Sequence, residues 1–362
     1  MRPSMSCMFL VTMVLVSTTL ASSSLSVNNS GVVTTSYGGF GRWFDYVVVI
    51  MLENHSINYT YGVSVAPNSW NSMSTTCTGN CTYFDSLANQ NGLALNYTNL
   101  GVTDGSISDY TAMTSGYGSL PSACNDGPTT PGCTPPDIPN IADRLEGKNL
   151  SWKAYMEDYP VSSGCYNQFA TNYFPNHNPF VYYQDIINNT SRCNRIVNAN
   201  SQIVSQANCW PTSVQNDDLF LADLTPANAP NYMFLAPNSI DDIHNCNDVS
   251  VANAWLQQLV PNILNSPLFQ TRRAALFITF DEAGCSGKNQ TPCPSAGPQL
   301  YTVWASNSTN PAPPTKMGFK STQSYTHFSA LRTVEDNWGF LPFIVSADGS
   351  ANNMEEFFRT SS

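Results

Sequence analysis

The chain reads as an α/β protein built on a mostly parallel sheet, and three features carry that reading. Tyr46-Val47-Val48-Val49-Ile50-Met51-Leu52 is an unbroken apolar run of strand length, rich in β-branched residues. The runs at Asn231–Pro237 and Ala274–Phe280 repeat its character, and segments of helical spacing lie between the runs. Strands that are apolar on both faces belong inside parallel sheets, and alternation of strands with helices builds such sheets.

Taken in order, residues 1–21 carry Arg2, an apolar run from Met8 to Val16 and small residues ending at Ala21. This is a secretory signal, too short for a permanent membrane anchor. Residues 22–44 are rich in Ser, Val, Asn and Gly and read as a leader. A single domain is expected over 45–362. The strand at 45–52 is followed by a loop at 63–82, a short helix at 83–88 and a strand at 93–98. Ser106 followed by Asp109 has the spacing of a capping box, which places a helix from Ser106 to Gly116. Residues 117–137 are rich in Pro, Gly, Ser and Cys and read as irregular, 138–145 as helical and 151–157 as a strand. Residues 160–215 are rich in Cys, Asn and aromatics without long periodic segments, and read as an insertion or lid. A helix over 219–224 precedes the strand at 231–237. Asp248 caps the next helix, whose Val251, Ala252, Trp255, Leu256, Leu259, Val260, Ile263 and Leu264 recur at helical spacing, with Pro261 as a kink. A fourth strand at 300–305 and a helix from about Phe328 to Trp338 complete the pattern.

Composition narrows the function. The formal net charge is −11 and only 11% of residues are charged, so the Lys and Arg clusters that nucleic-acid phosphates require are missing. The chain has 11 cysteines; with Cys7 in the signal segment the remainder is an even set, as expected of disulfides in an exported protein. The close pairs 77/81, 124/133 and 285/293 can each staple a local loop, while overall connectivity stays open. A zinc ribbon is the rival reading, but paired Cys-x-x-Cys spacing is absent. Glycosylation triplets begin at Asn28, Asn58, Asn80, Asn96, Asn149, Asn188, Asn189, Asn289 and Asn307, fitting a secreted or cell-surface glycoprotein; Asn54 also begins one, where a glycan would be incompatible with a working site.

Three core strands end in ionisable residues: Glu53 with Asn54, Asp242 with His244, and Asp281 with Glu282. Parallel strands present their carboxyl ends on one edge, where open α/β sheets bind ligands. Carboxylates gathered there repel one another unless a cation neutralises them. Mixed oxygen and imidazole ligands suit zinc, manganese or iron better than calcium. Ser106 lies at a helix amino terminus, where backbone N–H groups and the helix dipole favour an anion. It is equally placed to be a plain helix cap. Acids after strands also serve as caps or solvated loop ends, and His327 has a reading as a hydrogen-bonded core residue. The joint placement is what favours chemistry.

The motifs resemble a family. Glu53-Asn54-His55-Ser56 through Gly62, Ser106-Ile107-Ser108-Asp109-Tyr110 with Thr114-Ser115-Gly116, Ser151–Tyr155, His177–Phe180, Asn238–His244, Asp281-Glu282 and Thr326–Ser329 with Arg332–Asp336 occur in the order found in the phosphoesterase family of bacterial phospholipases C and secreted acid phosphatases. That resemblance implies the α/β/α sandwich of the alkaline phosphatase superfamily and a Ser nucleophile at Ser106. It also implies a metal held by Glu53, Asp281 and Glu282, with Asn54 touching metal or phosphate. Asp242, His244 and His327 would hold or neighbour a second metal, and His177 would line the phosphate pocket. The implied activity is hydrolysis of a small phosphate ester, as an acid phosphatase working through a phosphoserine. A phospholipase C-like phosphodiesterase and a non-catalytic cell-surface glycoprotein on the same scaffold are the alternatives. Ile57-Asn58 stands where phospholipases carry Phe-Asp, and Ser108-Asp109 replaces Pro-Asn after the nucleophile.

Overall fold

A computed structural model describes residues 24–27, 33–36, 40–61, 81–100, 105–204, 209–246, 248–283 and 299–359. The signal segment and Cys77, Cys285 and Cys293 lie outside them. The chain forms two units, Met1–Phe40 and Gly41–Ser362. In the first, β1 (Ser24–Val27) pairs antiparallel with β2 (Val33–Ser36), so the segment read as a leader carries a strand pair.

The strands of the second unit are β3 (Tyr46–Leu52), β4 (Gly92–Ala94), β5 (Trp152–Met156), β6 (Ile196–Asn198), β7 (Tyr232–Ala236), β8 (Ala274–Phe280), β9 (Thr302–Ala305) and β10 (Lys320–Ser321). Its helices are α1 (Thr82–Gln90), α2 (Ser106–Ser115), α3 (Ile141–Glu146), α4 (Gln184–Ile187), α5 (Thr190–Cys193), α6 (Asp218–Asp223), α7 (Val249–Leu264), α8 (Pro267–Thr271), α9 (His327–Trp338) and α10 (Ser346–Ser350). The eight strands form one sheet in the order β10-β4-β9-β8-β3-β7-β5-β6. Neighbours from β8 to β6 are parallel, and β9 alone runs against both of its neighbours. Helices α2, α9 and α10 pack as one group and α1, α7 and α8 as another.

β3 holds the centre because it has no polar side chain from Val47 to Leu52, all of them buried. Burying each such side chain contributes about 1.5–3 kcal/mol. The expected helix after Asp248 forms as read: Asp248 accepts from Ser250 N at 2.9 Å, and the apolar stripe from Val251 to Ile263 is buried. The strand expected at 93–98 is shorter, ending at Ala94. Residues 160–215 contain α4, α5 and β6, and β6 closes one edge of the sheet.

A polar latch closes the edge where β3 and β8 begin. Arg273 donates to both carboxylate oxygens of Asp45, at 2.5 and 3.2 Å, and to the carbonyl of Gly41. Asn337 of α9 accepts from Trp43 N and Phe44 N and donates to Phe44 O at 2.9 Å. Three disulfides join described residues: Cys124–Cys133, a local staple expected from spacing, and Cys165–Cys193 and Cys209–Cys246.

Packing argues against sugar on two of the triplets. Asn307 is buried and its amide donates to Leu264 O, and the Asn54 amide donates to Glu53 Oε2 at 3.0 Å. Asn58, Asn149, Asn188 and Asn189 are exposed. Glycopeptide mapping of protein from a glycosylating host is expected to find sugar among these four and none on Asn54 or Asn307.

Stability should tilt towards acid. Burial, with Asp348 beside it, pushes the Glu335 carboxyl up to about 9, and burial pushes Asp217 up to about 7. A carboxyl whose folded pKa is raised stabilises the fold fully below its unfolded pKa of about 4 and loses that contribution as pH rises through the folded value. Above pH 7, where the histidines are neutral in both folded and unfolded chains, thermal melts should therefore show Tm falling up to about pH 9 and levelling beyond it. Glu335→Gln should flatten the upper part of that fall.

Candidate functional site

The carboxyl ends of β3, β7 and β8 bring three acids together. Strand pairing continues one step beyond the apolar runs: Glu53 N donates to Asp242 O at 3.0 Å and Asp281 N to Leu52 O at 2.9 Å. Glu53, Asp242 and Asp281 are fully buried. Asn54, at φ 56, turns the chain sharply after β3, and its N–H donates to Asp281 Oδ1 at 2.8 Å.

Helix α2 delivers the hydroxyl. Gly105 is its N-cap, at φ 87, and no side chain caps the helix. The capping role read for Ser106 is thus corrected: Ser106 is the first helical residue, and its Oγ donates to Glu53 Oε2 at 3.0 Å. Glycine is required before it, since a Cβ at Gly105 would sit 2.3 Å from Asn125 Cγ. One turn on, Tyr110 donates to Glu53 Oε1 at 2.7 Å and its ring stacks on His177 at 5.7 Å, with 4° between the planes. Residues four apart share a helix face, so Ser106 and Tyr110 grip the two oxygens of one carboxylate.

Two histidines complete the cluster. His177 lies with Nε2 3.3 Å from Glu53 Oε1 and Nδ1 2.9 Å from Asp242 Oδ2. His244, half-buried, has its ring 5.2 Å from that of His177, and its backbone N–H donates to Asp242 Oδ1 at 2.7 Å. His327 belongs elsewhere: Nε2 donates to Asp281 O at 2.6 Å and Nδ1 faces Tyr97 OH at 3.1 Å. Both of its nitrogens are engaged, so it braces the Asp281 backbone, not the Asp242–His244 pair with which the resemblance grouped it. Glu282 is buried, and its charge is felt by Asp281 and by Asp109.

Electrostatics follow from burial. Desolvation, reinforced by Asp242, raises Glu53 well above the carboxylate range. Desolvation and then Glu53 and Glu282 raise Asp281, while desolvation, Asp281 and Glu282 raise Asp109. Asp242 is pushed up to about 8 by burial, partly offset by His244. Burial, then His244, drives His177 well below its ordinary value, and burial lowers His327 to about 4. Among the described residues, no lysine or arginine forms an ion pair with Glu53, Asp109, Asp242 or Asp281.

The donor set fits a divalent cation. Asp281 Oδ2 is buried without a hydrogen bond, a state that costs about 1–3 kcal/mol, and Asp242 Oδ2 and both ring nitrogens of His177 are buried with close contacts to one another and to Glu53 but no aligned hydrogen bond. Ligand atoms of Glu53, His177 and His244 lie within 4.8 Å of one another. Such a mixed carboxylate and imidazole set matches a zinc- or manganese-like ion. His177, expected from the resemblance as a phosphate-pocket residue, is thus also placed to be a ligand. Sequence reading missed Tyr110 and Asn125. Tyr110 carried a signal in its spacing from Ser106; Asn125 sits in a short helical turn at Ser122–Asp126 with no periodicity to mark it.

A sandwich with a serine at a helix amino terminus facing buried acids on the carboxyl edge of the sheet defines an α/β protein of the alkaline phosphatase fold. The chain belongs to the Phosphoesterase family, which it matches over residues 63–341. It is 28% identical over 227 residues to an acid phosphatase of Aspergillus fumigatus, covering 61% of this chain and 44% of that protein. An acid phosphatase of Aspergillus niger is likewise 28% identical over 222 residues, covering 60% and 46%. The chain thus spans less than half the length of these relatives. A Vibrio parahaemolyticus protein of the alkaline phosphatase superfamily superposes with a TM-score of 0.53 at 12% identity, covering 84% of this chain and 67% of that one.

Zinc or manganese at about a hundredfold excess over Kd should raise Tm by roughly 5 °C in differential scanning fluorimetry. His177→Ala should remove most of that shift; an undiminished shift in the variant would place the cation elsewhere.

Proposed function

We propose that the protein is an exported, metal-dependent phosphoesterase that hydrolyses small phosphomonoesters in acid through a phosphoserine at Ser106. The observation that carries this reading is the 3.0 Å hydrogen bond from Ser106 Oγ to buried Glu53 at the start of α2. The acid phosphatase relatives support the monoester and its acid setting. Ile57-Asn58 in place of the phospholipase Phe-Asp favours monoesters over phospholipid diesters. Three disulfides support an oxidising destination outside the cytosol.

A divalent ion held by Glu53, Asn54, His177, His244, Asp242, Asp281 and Glu282, or a subset of them, would neutralise phosphoryl charge and lower the pKa of an oxygen beside it. The protein's own groups do the rest. Glu53 Oε2 orients Ser106 Oγ and faces its proton. The α2 amino terminus offers N–H groups without intrahelical partners to the phosphoryl oxygens. Asn54 and Tyr110 hold Glu53 in place, and His327 holds Asp281. As the Oγ–P bond forms, the Ser106 proton passes by way of Glu53 to the leaving alcohol, whose bond to phosphorus breaks. Water then attacks phosphorus and breaks the Oγ–P bond, so that one water proton restores the Ser106 hydroxyl and phosphate leaves. Burial of Ser106 and the acids keeps this geometry fixed before substrate arrives.

Ser106→Ala should lower kcat for 4-nitrophenyl phosphate by at least about 1000-fold while Tm stays within about 2 °C, since the hydroxyl has one partner. Paired assays with 4-nitrophenyl phosphate and 4-nitrophenylphosphocholine decide between monoester and diester; faster turnover of the second would overturn the monoester reading.

A further inference from the structure

Among the described residues, Phe174 is the one aromatic side chain whose ring contacts both histidines of the cluster. Its ring lies 5.5 Å from His177 and 5.3 Å from His244. His177 is buried, whereas Phe174 and His244 are half-buried, so the cluster opens to solvent along the line from His177 through these two rings. Phe169 continues that line outwards: it meets Phe174 edge-to-face at 5.1 Å and is 46% exposed. Phe174 and Phe169 thus run as a pair of rings from the histidines to the surface.

The segment that carries these rings is firmly built. Ala170 N donates to Tyr173 O at 3.0 Å, His177 N to Phe174 O at 3.1 Å and Ser239 N to Asn172 O at 2.9 Å, which ties the segment to the turn bearing Asp242 and His244. Gly127 lies beneath, where a Cβ would touch Phe169 at 3.6 Å and Pro175 at 3.7 Å. The two phenylalanines therefore form a preset ledge, and no rearrangement is needed to present it.

We propose that this ledge is the leaving-group subsite, and that it selects phosphate monoesters of planar aromatic alcohols. The inference rests on the phosphomonoesterase reading above and names its substrate class. Rings attract rings in stacked or edge-to-face arrangements beyond what buried area alone gives, so an aryl leaving group gains from Phe174 and Phe169 in a way an aliphatic one of equal size does not.

The test compares phenyl phosphate with cyclohexyl phosphate, which match in size and differ in planarity, on wild type, Phe169→Leu and Phe174→Leu. Leucine keeps apolar bulk and removes the ring. The ratio of kcat/KM for phenyl over cyclohexyl ester should fall about tenfold in Phe174→Leu and about threefold in Phe169→Leu, with the loss appearing mainly in KM. Ratios equal to wild type in both variants, or a wild-type preference for alkyl esters, would overturn the ledge. Binding of phenylphosphonate and cyclohexylphosphonate by calorimetry separates this from the hydrolysis reading. If wild type turns over neither ester yet binds the phenyl compound more tightly and Phe174→Leu abolishes the difference, the ledge stands and the hydrolase falls. Equal binding of the two phosphonates removes the ledge.

Discussion

The structure depends on the placement of β3 between β7 and β8 in parallel register. That adjacency brings Glu53 beside Asp281, and the turn after β7 folds Asp242 onto the same edge, where Glu53 N donates to Asp242 O and Asp281 N to Leu52 O. Three acids without water around them are a costly arrangement in the absence of positive charge. Their raised pKa values measure that cost, and the unsatisfied oxygen of Asp281 shows where compensation is lacking. The core of the sheet supplies the stability that tolerates it.

Everything else at the site is arranged around Glu53. Its two oxygens receive Ser106, Asn54 and Tyr110, so α2 and the turn after β3 are locked to one carboxylate. His177 approaches the same group from the segment after β5, stacked on the Tyr110 ring. Three parts of the chain thus meet on one residue, and a change at Glu53 would be felt by the hydroxyl, the amide and the imidazole together.

Much of this was legible in the sequence. The β3, β7 and β8 runs announced themselves by continuous hydrophobicity, and α7 and α9 by their spacing; each formed within a few residues of expectation. The acids at strand ends were legible for the same reason, since a polar residue after such a run has only the sheet edge to occupy. What stayed hidden was relational. Spacing cannot show that Ser106 turns its hydroxyl to Glu53 instead of capping its own helix, because both roles use the same residue at nearly the same position. Nor can it show that His327 spends both nitrogens on Tyr97 and Asp281 O, or that Asn307 lies buried inside a glycosylation triplet. The Cys165–Cys193 and Cys209–Cys246 pairs join residues 28 and 37 apart, a separation with no local signature.

The latch of Asp45, Arg273 and Asn337 gathers at the starts of β3 and β8, a full strand length from the acids at their ends. Cohesion and reactivity therefore occupy opposite rims of one sheet. Such a division lets the loops on the reactive rim drift, lengthen or be exchanged over evolutionary time while the far rim keeps the strands aligned, and it makes the scaffold a ready host for new specificities.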